Sequence, residues 1–263
     1  MGEERAPVLV ETRNRVQWIT LNREDKRNAI NQAVVQGLAR GIREAMADRR
    51  IRAIVLTGAG ERAFCAGADL DPGLTGGVFQ YDLSDPHHYG IELFRLAESC
   101  NLPLLARVNG HVRAGGFGLL CMCDLAVSTD TATFGTPESQ VGLFPTTILP
   151  YMLRVLPRRK LMELCITGEP ITAQEALAVG LVNYVVPGRE LDAKVDWLLE
   201  RILIRSPTGI RLGKNAFHAM ERMTLQEAFA FAEAYVRPMS MTDDAREGFK
   251  AFLEKRPPTW PDR

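Results

Sequence analysis

Two stretches of nearly bare backbone and one carboxylate are where this sequence can do chemistry. In AFCAGADL (63–70), Ala66, Gly67 and Ala68 follow a short apolar run that ends in glycine, IRAIVLTG (51–58). In RAGGFGLLCMCD (113–124), Gly115 and Gly116 stand in the same relation to a second such run, PLLARVNG (103–110). Small residues let a ligand approach the main chain. Two N–H groups aimed at one point are what a developing oxyanion needs, and one such donor is worth about 10²–10³ in rate. The two donors converge if the two strands are neighbours in a sheet, and the apolar helix beginning near Gly116 adds its dipole. The carboxylate is Glu138 in GTPES. A single carboxylate can take a proton from one carbon and return it to another, and an apolar pocket raises its pKa toward the working range. Each feature also has a plain structural reading, since glycines after strands make turns and a glutamate can cap one.

These groups need a framework of short strands and helices. VLVET and RVQWITL (8–12 and 15–21) are β-rich runs about Arg13-Asn14, which predicts a hairpin. Val35, Leu38, Ile42 and Met46 recur at helical spacing, with Asn28 or Asn31 available as the N-cap. The apolar runs at 51–58, 103–110, 124–130 and 181–187 alternate with helical stretches, the pattern of an α/β fold whose successive units stack. From Leu191 to Glu254 the chain reads almost wholly helical, which divides it into residues 1–190, an α/β core, and 191–263, a helical region.

Composition excludes several functions. With 32 basic and 32 acidic residues in 263 the formal charge is zero, so no overall field draws the protein to nucleic acid or an anionic membrane. The five cysteines form no C-x-x-C pair and read as reduced thiols in apolar surroundings. No histidine pair has metal-ligand spacing, so no metal is expected. The N-terminus lacks a signal-peptide pattern and no run approaches the length of a membrane span, so a soluble cytoplasmic protein is expected.

AFCAGADL, VNGHVRAGGFGLLCMCDLAVSTDTATFGTPE and the closing EGFKAFLEKRPP, in order and in spacing across residues 8–258, resemble the crotonase superfamily, the enoyl-CoA hydratase/isomerase family. The resemblance implies a spiral of stacked ββα units with a C-terminal helical trimerisation region, an acyl-CoA substrate of the kind met in fatty acid metabolism, and a homotrimer or a hexamer made of two trimers. It implies that the N–H groups of Ala68 and Gly115 hold the thioester carbonyl and stabilise the enolate. It further implies that Lys26 faces the CoA phosphates, that Ala29 frames the pantetheine, and that Ala66, Asp69 and Leu70 border the adenine and pantetheine. Coenzyme A is then part of the substrate, and no separate cofactor is expected.

The sequence departs from the family hydratases, which hold water between two glutamates. The second is present as Glu138, whereas Gly118 stands where the first would be, with Phe117 adding bulk beside it. An ordered water needs two to four polar partners. Double-bond isomerisation with Glu138 as the single acid/base is therefore the expectation. Hydration of a 2-enoyl-CoA at a non-standard water site, thioester hydrolysis, and acyl-CoA binding without turnover are the alternatives. Thr146 occupies the place of an aspartate used by dienoyl-type isomerases, which disfavours that subtype. Asp82, Asp85, His87, His88 and Glu92 are candidates for a substitute polar group, with an exposed loop and helix start as their plain reading.

Overall fold

The computed structural model describes residues 5–69 and 88–260. In chain order its elements are β1 (Val8–Arg13), β2 (Val16–Leu21), α1 (Gln32–Ala47), β3 (Ala53–Gly58), β4 (Ala63–Cys65), α2 (Tyr89–Ser99), β5 (Leu104–Val108), β6 (His111–Arg113), α3 (Gly115–Cys121), β7 (Leu125–Thr129) and β8 (Thr133–Gly135). There follow α4 (Leu149–Val155), α5 (Arg158–Thr167), β9 (Ile171–Thr172), α6 (Ala173–Ala178), β10 (Tyr184–Val186), α7 (Leu191–Leu203), α8 (Pro207–Met220), α9 (Leu225–Ser240) and α10 (Asp243–Leu253).

The hairpin forms with its turn at Asn14 and Arg15, one residue later than the sequence suggests. Both have positive φ (47° and 67°), the geometry that matches the right-handed twist of the flanking strands. Helix α1 starts after Asn31, whose side chain accepts the Val34 N–H. Asn28 is spent elsewhere, in a buried turn.

One sheet has the order β1-β2-β3-β5-β7-β10 and is parallel after the hairpin; a second has the order β4-β6-β8-β9. Each circuit of the chain places one strand in each sheet: β3 then β4, β5 then β6, β7 then β8. The larger sheet is covered on both faces, which is why its strands read as continuous apolar runs. Ile54, Leu56, Leu104 and Ala106 face the main core with α1 and α2, while Ala53, Val55, Leu105 and Val127 face Val195, Leu198 and Leu199 of α7. The strands of the smaller sheet are two or three residues long and carry Phe64 and Phe134, both fully buried.

Helix α8 is pinned to this body by Lys214, whose ammonium donates to the Leu102 carbonyl (2.8 Å) and to the Asp124 carboxylate (2.6 Å), and the same carboxylate accepts the Leu104 N–H. Helix α9, in contrast, buries none of its residues. Leu225, Phe229 and Val236 on α9, and Phe249, Phe252 and Leu253 on α10, are exposed.

The passage from β3 to β4 is a tight turn closed by two buried amides. Asn28 donates to the carbonyls of Ala59 and Ala63. Asn109 donates to Gly60 and Ala63 carbonyls and accepts from the Gly58 N–H and the Thr57 hydroxyl. Removing the second amide strands these groups in a site of 5 % exposure. Asn109→Ala is expected to cost about 2–4 kcal/mol in urea unfolding, with an unchanged m-value.

Candidate active site

The strands that precede the two bare segments are neighbours, since β3 pairs with β5 and β4 with β6, all parallel. Beyond β4 the chain makes one further bridge: the Ile30 N–H donates to the Gly67 carbonyl (2.7 Å) and the Asp69 N–H to the Ile30 carbonyl (2.8 Å). In such a parallel bridge the residue between the two bonded groups turns its own N–H to the opposite side. That residue is Ala68. Its N–H has no acceptor among the described residues.

The second donor comes from the start of α3. Ala114 sits at φ 48°, ψ −123°, a conformation that costs an L-residue about 1–3 kcal/mol. It is fixed there by its N–H to Gly135 (3.0 Å) and by its carbonyl, which accepts the Phe117 N–H (2.8 Å). This corner exposes the Gly115 N–H, one of the first helical donors that have no intrahelical acceptor. Helix α3 is seven residues long, so what it offers is a free N–H more than a macrodipole. The two donor segments touch. A Cβ built on Gly115 would lie 3.9 Å from the Ala68 nitrogen, and one built on Gly67, which has φ +89°, would strike the Ala114 Cβ at 2.6 Å. Only glycine at 67 permits both the conformation and the approach.

Ala68 and Gly115 open onto a cavity of about 370 Å³ that Glu138 also lines. Glu138 lies on a 3-10 turn, Pro137–Val141, whose exit is fixed by the Leu143 N–H donating to the Glu138 carbonyl (2.9 Å). Its Oε2 is buried with no partner among the described residues. Burial pushes its carboxyl pKa above 4.5, opposed only by a bond from its own backbone N–H. The acid/base candidate and the two donors thus share one chamber.

The chamber explains Gly118. A Cβ there would lie 2.4 Å from Ile148 Cγ2 and 2.8 Å from Phe94 Cζ, so the place a longer side chain would take is filled from α2 and the entry to α4. The bulk expected from Phe117 comes instead from these two residues; Phe117 is fully buried in the core and does not line the cavity. Neither Phe94 nor Ile148 carries a sequence signal, because their closeness to Gly118 is a property of the coil. Phe94 is in turn held edge-on by Tyr151, whose hydroxyl donates to the Phe94 carbonyl (3.0 Å).

Polar side chains on the wall are few. Thr146, Thr147 and Gln140 line it, and so does His88, whose Nδ1 accepts the Gly90 N–H (3.1 Å) and whose ring stacks on Tyr89 at 4.8 Å. Glu92 does not line the chamber and pairs with Arg95. Leu70, Asp82, Asp85 and His87 lie outside the described residues.

At the mouth, Ala66 lines both this cavity and a second one of about 440 Å³ that also takes Arg27, Arg62, His111 and Arg113. Burial, then the charges of Arg113 and Arg27, hold the His111 pKa below 6.5. Lys26 is exposed on the 3-10 turn Glu24–Lys26. The Ala29 carbonyl accepts from Arg23 (2.7 Å), and the Asp69 carboxylate pairs with the same guanidinium (2.6 Å), so neither group faces a ligand freely. Cys65, which precedes Ala66, is buried, and burial drives its thiol up to about 12. Cys121 and Cys123 are pushed up in the same way. All five cysteines are free thiols.

Comparison with known proteins supplies a family. Residues 11–263 match the model of the family described as enoyl-CoA hydratase/isomerase. A probable mitochondrial enoyl-CoA hydratase of Dictyostelium discoideum is 34% identical over 256 residues, 95% of this chain and 89% of that one. The (E)-benzylidenesuccinyl-CoA hydratase of Thauera aromatica is 32% identical over 265 residues, covering 97% and 98%. The crystal structure of an enoyl-CoA hydratase from Mycobacterium smegmatis superposes with a TM-score of 0.90 at 32% identity, over 97% of this chain and 98% of that one. The architecture is therefore the crotonase-type coil that the motifs imply.

The raised Glu138 pKa has a sign that can be checked. The folded protein binds this proton more tightly than the unfolded chain, so stability falls as pH rises from about 4.5 through the folded pKa and is level above it. Relative to Glu138→Gln, the native protein is expected to lose unfolding free energy across that window and to regain it on acidification. Chemical denaturation of both proteins at a series of pH values measures the difference.

Proposed function

The chain belongs to the enoyl-CoA hydratase/isomerase family, and on that premise we propose that it moves the carbon–carbon double bond of an enoyl-CoA thioester with Glu138 as the sole acid/base. The observation that carries this reading is the filled space at Gly118: Ile148 and Phe94 occupy the place from which a second carboxylate would hold water. In this reading the thioester oxygen accepts the N–H groups of Ala68 and Gly115. Glu138 takes a proton from C2 of a 3-enoyl chain, and the electron pair passes into the carbonyl to give a dienolate whose oxygen the two donors stabilise. The carboxylic acid then returns the proton to C4, which leaves the double bond between C2 and C3. No water enters, as suits a chamber walled by Leu93, Phe94, Leu143, Phe144 and Ile148.

Coenzyme A enters as part of the substrate. Ala29 and Ala66 border its pantetheine arm, Asp69 stands beside that border held by Arg23, and Lys26 with exposed Arg27 faces its phosphates. The five free thiols suit a reducing, cytoplasmic setting, and among the described residues no helix is long and apolar enough to cross a membrane.

Hydration of a 2-enoyl-CoA is the second reading. The names of the hydratase relatives support it, and Thr146 and Thr147 are hydroxyl groups on the wall that could hold a water there.

Mass spectrometry of products from a 3-enoyl-CoA and, separately, a 2-enoyl-CoA distinguishes the two. The expected product has unchanged mass and a moved double bond, and Glu138→Gln abolishes it. A product one water heavier establishes hydration, and tight binding without any product establishes an inactive binder. Gly118→Glu combined with Ile148→Ala is expected to gain hydration that neither single change confers.

The same reading includes self-association as a homotrimer or a hexamer of two trimers through α9 and α10, whose exposed Phe229, Phe249, Phe252 and Leu253 form apolar faces. Sedimentation velocity is expected to show a species of three or six chains, and Phe252→Arg with Leu253→Arg to shift it toward the monomer.

A further inference from the structure

We infer that Arg23 is a positioning residue for the Ala68 N–H, acting through Asp69. The inference rests on the reading of Ala68 as an oxyanion donor. Arg23 donates from Nη1 to the Ala29 carbonyl (2.7 Å) and from Nη2 to Asp69 Oδ2 (2.6 Å), and the two side chains are 18% and 16% exposed. Residues 29 and 69 lie on the two segments that the backbone bridge already joins, where Ile30 bonds Gly67 and Asp69. One guanidinium therefore spans the same seam by a second route. Ala68 sits next to both ties.

The brace is itself held. The Arg23 N–H donates to Asn28 Oδ1 (3.2 Å), and its carbonyl accepts the N–H groups of Lys26 (3.0 Å) and Asn28 (2.8 Å). Asn28, 1% exposed, is anchored in turn to the Ala59 and Ala63 carbonyls at the turn into β4. A continuous run of hydrogen bonds thus leads from the turn before β4, through Arg23, to the residue after Ala68. Neither Arg23 nor Asp69 lines the acyl cavity, so the effect is on aim rather than on contact with the acyl chain. The planar fork suits the task, because it fixes two acceptors at a set separation where an ammonium acts as a point charge.

Misplacing a reacting group by about 1 Å costs up to about 10² in rate, so a loosened seam appears in kcat and in carbonyl polarisation before it appears in substrate affinity. The test uses the full-length protein, cinnamoyl-CoA as a bound chromophore, and two conservative variants, Arg23→Lys and Asp69→Asn. In the native protein the cinnamoyl absorbance is expected to shift to the red as the carbonyl is polarised. Each variant is expected to lose most of that shift and to lower kcat by about 10–100-fold, with KM held within about threefold. A native protein with no red shift overturns the oxyanion reading and this inference with it. A native shift that both variants retain overturns the inference alone, and so does a lowered thermal midpoint with spectrum and kcat unchanged. A raised KM at constant kcat also overturns it, by assigning the pair to coenzyme binding.

Discussion

A chain that winds through two sheets must turn a corner on every circuit, and each corner brings backbone N–H and C=O groups inside without a strand partner. Their satisfaction is the condition on which this coil depends, because a buried unpaired group costs about 1–3 kcal/mol. The solution recurs along the chain. Asn28 and Asn109 close the passage from β3 to β4, Asp124 accepts the first N–H of β5, and Asn183 accepts the Ala126 N–H of β7. These short polar side chains, rather than the apolar core alone, fix where several of the strands begin and end. The donors of the site lie just beyond such strand ends, so their aim inherits the precision of the corners.

The site combines fixed backbone dipoles with an apolar chamber, and each makes the other effective. Two N–H groups act strongly on a developing negative oxygen where competing water is scarce. The same scarcity keeps Glu138 protonated to a higher pH than an exposed glutamate, the direction a general acid or base in such a chamber needs. The glycine at position 118 fits this chamber. The space there is apolar and already filled by Ile148 and Phe94.

Much of the frame was legible from the sequence because it depends on local pattern. Apolar runs ending in glycine gave β3 and β5, helical spacing gave α1 and the C-terminal helices, and the matched contexts of residues 66–68 and 115–116 pointed to two stretches of bare backbone that the sheet pairing sets side by side. The smaller sheet left no periodic trace, since strands of two or three residues are too short to show alternation. The filling of the Gly118 space and the Arg23–Asp69 pair were equally invisible. They join residues far apart in the chain, and only the winding of the coil sets Phe94 and Ile148 against one and Asp69 against the other.

Cys65 sits immediately before the small residues that lead to the donor strand end, and a thiol there is a chemical hazard for any enzyme that handles thioesters. A thiolate within reach would capture the acyl group by thiol exchange, leaving the protein acylated and free coenzyme A released. With its side chain buried and its pKa driven up to about 12, Cys65 stays a protonated thiol at neutral pH. Burial thus keeps this sulfur in the core as a neutral thiol, apart from the cavity, which it does not line.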